Sequence, residues 1–115
     1  MKGQLSDKAR LNHILDAINA IEEYTAEVSF EDFTQSSEKT FATVKQLEII
    51  GEAANRISEE TRNLDDEIEW SKIIGLRNIL VHDYYIVDHS VVWEIIEDEL
   101  IKLKTQIKKL INQIK

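Results

Sequence analysis

Nine consecutive residues, 77–85, carry side chains that together suit the cleavage of a phosphodiester bond. Arg77 is a permanent cation that can hold a phosphate through two hydrogen bonds. His82 is of the one residue type that gives and takes protons near neutral pH without special tuning. Tyr84 can donate a hydrogen bond, act as a weak acid or serve as a nucleophile. This combination indicates phosphodiester chemistry that needs no metal ion.

The spacing of these residues restricts how they can meet. On an ideal α-helix the five residues from Arg77 to His82 correspond to about 140° around the axis, so these two side chains do not share a face. Asn78 and His82 do share one, and so do Arg77 and Tyr84. A site that uses Arg77 and His82 together therefore needs a loosened helix at His82 or a second copy of the chain.

The composition predicts one all-α domain over residues 1–115. The chain has 115 residues, no proline and three glycines, and a length near 100–150 residues is typical of a single domain. Near-absence of helix breakers favours helices throughout. With no cysteine, disulfides and cysteine-based metal sites are excluded. No apolar run approaches the roughly 20 residues that span a bilayer, so we expect a cytoplasmic protein without membrane contact.

The net charge opposes a simple nucleic-acid interaction. It is −8 at neutral pH, whereas nucleic-acid binding draws on cationic surface. The charge is uneven, however: residues 101–115 hold five lysines and no acid, and residues 88–100 hold five acids and no base. Lysines near a helix C-terminus also suit the helix dipole, so the pattern has a structural explanation as well as a functional one.

Apolar periodicity predicts four main helices, which we expect to form an antiparallel up-down bundle. The first begins at Ser6 or Asp7 and ends near residues 25–28. The second begins at Ser36 or Ser37 and buries one face, and Gly51 within it suggests a close approach of another helix. The third runs from Trp70 or Ser71 to about Val81. The segments 29–36 and 58–69 are expected to be connectors with some helical character. The apolar face of the second helix comprises Phe41, Val44, Leu47, Ile50, Ala54 and Ile57.

The fourth helix is predicted to start at Asp88 or Ser90 and to continue to the end of the chain. Seven apolar residues alternate steps of three and four, which is a heptad seam. Ile95, Ile101 and Ile111 lie off this seam and could serve a second contact. The seam comprises Trp93, Ile96, Leu100, Leu103, Ile107, Leu110 and Ile114.

The motif and its flanks resemble a known family. Arg-x-x-x-x-His-x-Tyr, here Arg77, His82 and Tyr84 with Asn78 directly after the arginine, resembles the signature of HEPN-domain ribonucleases. The segments 46–54 and 92–96, and the approach to the motif from Trp70, are similar to the HepT-like branch, which contains the toxins of HepT/MntA toxin–antitoxin pairs. The similarity covers nearly the whole chain.

The resemblance implies a HEPN-like homodimer with motifs from both subunits lining one cleft, and a metal-independent endoribonuclease that needs no cofactor. The RNA's own 2′-OH would attack the phosphorus, with His82 as general base or acid and Arg77 on the scissile phosphate. Asn78 would bind the phosphate or orient His82, Asp83 could tune His82, and Tyr84 would contact the RNA. A tRNA is one candidate substrate.

The resemblance also implies regulation at Tyr84. In HepT-like systems a minimal nucleotidyltransferase, the MntA-like antitoxin, transfers AMP to the tyrosine of the motif. Added phosphodiesters beside Arg77 and His82 would place negative charge in the phosphate site and block it. The predicted partners are therefore a second copy of the chain, this nucleotidyltransferase and RNA.

Other interpretations of the same residues remain open. Arg77 and His82 could be cations at a helix C-terminus with no catalytic role. The chain could be a non-catalytic dimeric module that binds a nucleotidyltransferase or a nucleotide, or a structural bundle. His13 and His89 are too far apart in sequence to indicate a zinc site. The triplet Glu48, Glu52 and Arg56 predicts ion pairs along one helix face, with a place in the cleft as the alternative.

Overall fold

The computed structural model describes residues 6–78 and 88–114, and all regular secondary structure within these ranges is helical. The predicted all-α class is confirmed. No helix in the described ranges is long and apolar enough to cross a membrane. The elements are α1 Asp7–Thr25, α2 Phe30–Gln35, α3 Ser37–Asn55, α4 Glu59–Arg62, α5 Trp70–Ile74, a 3₁₀-helix Gly75–Asn78, α6 His89–Glu94, a π-helix Ile95–Glu99 and α7 Leu100–Gln113.

Helix α1 begins and ends where its sequence predicts. Ser6 caps it, since the Ser6 Oγ accepts a hydrogen bond from the backbone N–H of Ala9 at 3.0 Å. Such a cap satisfies one of the free donors at a helix start. The apolar residues recurring at three- and four-residue steps are fully buried, and they are Leu11, Ile14, Ile18 and Ile21.

Helices α1 and α3 run antiparallel and form the centre of the fold. Near the end of α1, the backbone carbonyl of Tyr24 accepts from Lys39 Nζ, and the Tyr24 hydroxyl accepts from Gln46 Nε2, both at 3.3 Å. At the other end, Asp7 contacts Ser58, just beyond α3. Helix α7 packs against α1 as well, and Lys104 forms a 2.7 Å ion pair with Glu22.

The start of α3 differs from its predicted pattern. Ser36 caps the helix as expected, but Phe41, placed on the buried face by the sequence, is 59% exposed. Thr40 and Thr43 take the buried positions instead, and one residue is about 100° of rotation. The Thr40 hydroxyl donates to the carbonyl of Phe33 at 3.1 Å, which satisfies a buried polar group. A pattern that counts only apolar residues cannot predict that threonines occupy these buried positions.

Both predicted connectors contain helices. Ser29 caps α2 and Ser58 caps α4 through side-chain hydrogen bonds. Helix α2 brings Phe33 into the core, where its ring centroid lies 5.1 Å from that of Trp93 and 6.1 Å from that of His89. Trp93 is partly buried and packs against the core.

The C-terminal helical segment is continuous from His89 to Gln113 but contains a π-helix. Asp88 caps its start by accepting from the backbone N–H groups of Ser90 and Val91. The predicted seam is confirmed from Leu100 onward. Before the π-helix it is displaced by one residue, because Val92 and Ile95 are buried where Trp93 and Ile96 were expected. A π-helix bonds i to i+5, so five residues separate Ile95 from Leu100 and the contact face changes register.

Candidate functional site

The first part of the motif lies on a 3₁₀-helix. The α-helix that starts at Trp70 ends at Ile74, and the chain tightens into the 3₁₀-helix Gly75–Asn78, which carries Arg77. The prediction of one α-helix to about Val81 is therefore wrong at this point. Ile73 near the end of α5 and Leu76 on the 3₁₀-helix lie three residues apart and are both buried in the core. Angles taken from an ideal α-helix do not describe the neighbourhood of Arg77.

Gly51 fixes the position of the Arg77 backbone. A Cβ atom on Gly51 would lie 2.5 Å from the Arg77 backbone nitrogen, 2.8 Å from the Arg77 Cβ and 3.0 Å from the Ile74 carbonyl oxygen. Any side chain at this position would therefore force the 3₁₀-helix away from α3. The close approach that Gly51 predicted is confirmed, and the element that approaches is the one carrying the candidate phosphate ligand.

Glu52 holds the Arg77 side chain. The Arg77 Nη1 lies 3.3 Å from the Glu52 Oε1, and the two side chains are 34% and 54% exposed. The guanidinium has five N–H donors and uses one of them in this contact, so donors remain for a phosphate. The prediction that Glu52 pairs with Arg56 along α3 is wrong, since within the described residues Glu52 pairs with Arg77. The contact places Glu52 beside the candidate phosphate ligand, and the alternative of a place in the cleft stays a prediction.

The remaining motif residues are divided by the limits of the described chain. Asn78 follows Arg77 on the 3₁₀-helix and is exposed. His82, Asp83 and Tyr84 lie outside the described residues, so their predicted roles stay predictions. The described chain resumes at Asp88.

Another depression on the described surface differs from the Arg77 site in its charged residues. Its volume is about 340 Å³, and it lies between α5 and the 3₁₀-helix on one side and the segment from α6 to α7 on the other. Its described lining holds three glutamates and two lysines but no arginine or histidine, so it is net negative and lacks the residue types of the motif. On its rim Lys72 donates to Glu99 at 3.0 Å, and this hydrogen bond raises the pKa of Lys72.

The family of this chain follows from comparison with known proteins. A family profile described as ribonuclease HepT-like matches residues 14–110, a span that contains the whole motif. This chain belongs to the HepT-like ribonuclease family. The resemblance seen in the sequence is confirmed, and with it the class of enzyme, a ribonuclease.

Individual relatives agree along nearly their full length. A probable ribonuclease HepT from Thermococcus cleftensis is 39% identical over 105 residues, covering 91% of this chain and 96% of that protein. A candidate RNase from Methanocaldococcus jannaschii is 33% identical, covering 88% and 93% respectively. Another from Caldanaerobacter subterraneus is 36% identical, covering 91% and 94%. Comparison with solved structures found no match.

Proposed function

We propose that this HepT-like chain is a metal-independent endoribonuclease that cuts RNA by attack of the substrate's own 2′-OH. The match of the ribonuclease profile across the span that contains Arg77, His82 and Tyr84 carries the proposal. The supporting geometry is an arginine fixed at its backbone by Gly51 and at its side chain by Glu52. Preorganised cations of this kind stabilise charge that develops in a transition state.

The chemistry is a transesterification in two proton transfers. His82 of one copy accepts the proton of the 2′-OH as its oxygen attacks phosphorus, and His82 of a second copy donates a proton to the departing 5′-oxygen. The bond from phosphorus to the 5′-oxygen breaks as the bond to the 2′-oxygen forms. Arg77 binds the non-bridging phosphate oxygens, Asn78 assists it, Asp83 tunes His82 and Tyr84 contacts the RNA. The products are a 2′,3′-cyclic phosphate and a free 5′-hydroxyl.

The proposal includes a homodimer and an antitoxin. Two copies related by a two-fold axis bring both motifs to one cleft, which supplies a base and an acid from separate histidines. A minimal nucleotidyltransferase of the MntA type silences the toxin by transferring AMP to Tyr84. The added phosphodiester then competes with RNA for the cation at Arg77. Transfer RNA is the substrate to test first.

Cleavage assays in excess EDTA test the activity. The unmodified protein should cut total tRNA and a model RNA and leave cyclic phosphate ends. Both Arg77→Ala and His82→Ala should lose this activity while keeping their circular dichroism and their oligomeric state. Equal cutting by His82→Ala would remove that residue from the mechanism.

The competing function is a non-catalytic module that docks the nucleotidyltransferase. The net charge of −8 favours it, because it disfavours RNA on bulk electrostatics. Absence of cutting by protein of verified unmodified mass would favour this function. The nucleotidyltransferase step is tested separately, since Tyr84→Phe should block incorporation of labelled AMP. Label entering that variant would assign the acceptor to Tyr85 or another residue.

A further inference from the structure

A depression between α1 and α3 shares Glu52 with the Arg77 ion pair and holds two further cations, Arg10 and Lys45. We call it the α1–α3 groove. Its volume is about 290 Å³, which is just below the range of roughly 300–1,000 Å³ that is typical of small-molecule sites. Its lining comprises Arg10, His13, Lys45, Glu48, Ile49, Glu52 and Ala53.

We propose that the α1–α3 groove binds the RNA backbone next to the bond that is cut, with Arg10 and Lys45 contacting phosphates that flank the scissile one. This inference rests on the proposed ribonuclease function and extends it to substrate binding. It assigns a role to residues outside the Arg77–Tyr84 motif.

Glu52 connects the groove to the candidate catalytic arginine. Its carboxylate pairs with Arg77, and the same residue forms part of the groove wall. Lys45 lies seven residues before Glu52 on α3, which corresponds to about 10 Å along the helix axis. The lining on α3 therefore extends for about 10 Å from Lys45 to the ion-pair partner of Arg77, so a strand with its scissile phosphate at Arg77 can continue into the groove.

The cations of the groove are available to a ligand. Among the residues that the structure describes, neither Arg10 nor Lys45 has a carboxylate oxygen within 4.0 Å. Arg10 lies near enough to Asp7 to help lower its pKa, but the Asp7 oxygens accept hydrogen bonds from Ser58 and Thr61. Arginine and lysine side chains are the usual contacts to a nucleic-acid backbone, and these two have no described carboxylate close enough to compete.

The two acidic residues of the groove, Glu48 and Glu52, differ in their ion pairing. Glu52 is neutralised by Arg77, whereas Glu48 has no described ion-pair partner within 4.0 Å. Glu48 therefore opposes phosphate binding, and its removal should strengthen it. The groove floor contributed by Ile49 and Ala53 is apolar and can pack against ribose or a base. The proposed contacts thus predict substitutions that act in opposite directions within one groove.

The direct test is the salt dependence of RNA binding. The ligand is a 2′-O-methyl RNA, which cannot be cut by 2′-OH attack, and the protein is the full unmodified chain. The double variant Arg10→Ala/Lys45→Ala should bind about 10-fold more weakly, and the slope of log affinity against log salt should fall by about 1.4, near 0.7 per lost phosphate contact. Glu48→Gln should bind more tightly than the unaltered chain.

A matched control separates local contacts from total charge. Lys108 and Lys109 are exposed on α7, and Lys108→Ala/Lys109→Ala removes the same two positive charges. This control should keep the original salt slope. An equal loss in both double variants, or an unchanged slope in Arg10→Ala/Lys45→Ala, would overturn the inference.

Cleavage of short and long substrates distinguishes failure of the groove from failure of the ribonuclease proposal. A dinucleotide has no phosphate beyond the one that is cut, so Arg10→Ala/Lys45→Ala should cut it at the original kcat/KM while the KM for a long RNA rises. Dinucleotide cutting with an unchanged long-RNA KM in the double variant would overturn the groove alone. If the unaltered protein cuts neither substrate, the ribonuclease proposal fails, and the binding slopes still decide whether the groove holds RNA. No binding of the 2′-O-methyl RNA would overturn the groove directly.

Discussion

At the scale of single residues, Arg77 is positioned by two neighbours on α3. Gly51 allows the backbone of the 3₁₀-helix to lie against α3, and Glu52 holds the guanidinium from the adjacent position. The contact at Gly51 sets the position of the Arg77 backbone, and the ion pair with Glu52 sets the direction of the Arg77 side chain. Neither role can be predicted from the motif itself, because Gly51 and Glu52 lie 26 and 25 residues earlier in the sequence.

Replacing Gly51 with alanine tests the backbone contact. Overpacking of this kind costs about 1–3 kcal/mol of unfolding free energy, and displacement of Arg77 should lower kcat by about 10- to 100-fold. Gly75→Ala is the matched control, since a Cβ there meets nothing within 4 Å, and it should leave stability equal or raise it by up to about 1 kcal/mol. Denaturant unfolding and RNA cleavage measure both. Similar behaviour of the two variants would mean that Gly51 does not position Arg77.

Replacing Glu52 separates charge from orientation. The pair is half-exposed, so its contribution to stability should be below about 1 kcal/mol. Glu52→Gln removes the negative charge but keeps a hydrogen-bond acceptor. RNA should therefore bind about 2- to 10-fold more tightly, an effect no larger than the roughly 1.5–3 kcal/mol that a hydrogen bond to a charged group is worth. The kcat should change little, because the remaining acceptor still orients Arg77. Glu52→Ala removes both features and should lower kcat. A lower kcat in Glu52→Gln equal to that of Glu52→Ala would show that the charge is what orients Arg77.

At the scale of elements, the sequence predicts helices where the apolar period is regular and the caps are serine. Helices α1 and α3 begin at the predicted caps. Such starts can be predicted because the capping side chain and the apolar period both come from residues that lie close together in the sequence. The 3₁₀-helix and the π-helix could not be predicted in this way. Each arises from tertiary packing: Gly75–Asn78 lies against α3, and the π-helix changes the buried face between Ile95 and Leu100. For the same reason the angles of an ideal α-helix do not apply at Arg77.

The displaced register makes a prediction about two neighbouring isoleucines. The heptad pattern assigns Ile96 to the core, whereas in the structure Ile95 is 8% exposed and Ile96 is only partly buried. Ile95→Ala should therefore cost about 2–4 kcal/mol of unfolding free energy, because a buried isoleucine leaves a cavity. Ile96→Ala should cost clearly less. Urea titrations measure the loss of unfolding free energy in both variants. A larger loss in Ile96→Ala than in Ile95→Ala would mean that the protein has the regular seam predicted from the sequence and no π-helix.

At the scale of the whole molecule, a polar cluster links α1 to α4 at one end of the α1–α3 pair. Asp7 in the first turn of α1 accepts hydrogen bonds from the backbone N–H of Ser58 at 3.1 Å and from the hydroxyls of Ser58 and Thr61. The contact spans 51 residues and links the start of α1 to the start of α4. Because the same α1–α3 pair carries Gly51, Glu52 and the proposed RNA groove, this cluster supports the frame on which the site is built.

The cluster should make stability depend on pH. Partial burial acts to raise the pKa of Asp7, but the hydrogen bonds from Ser58 and Thr61 and the charge of Arg10 together outweigh it, so the pKa lies below 3.8. A carboxyl with a lowered pKa in the folded state contributes its full stabilisation above the unfolded value and loses it as pH falls through the folded value. The contribution of Asp7 is therefore complete above about pH 4 and disappears in more acidic solution.

Asp7→Asn removes the charge while keeping the size of the side chain. At pH 7 the variant should be less stable by about 1 kcal/mol, near the lower end for a hydrogen bond to a charged group because the cluster is partly exposed. Its difference from the unaltered protein should shrink as the pH falls below 3.8, since the protonated carboxyl of Asp7 and the amide of the variant then both lack the negative charge. Unfolding free energies between about pH 2.5 and pH 7 measure this convergence. Parallel pH curves for the two proteins would mean that Asp7 carries no pH-dependent stability, and that the antiparallel pair is held by its apolar core alone.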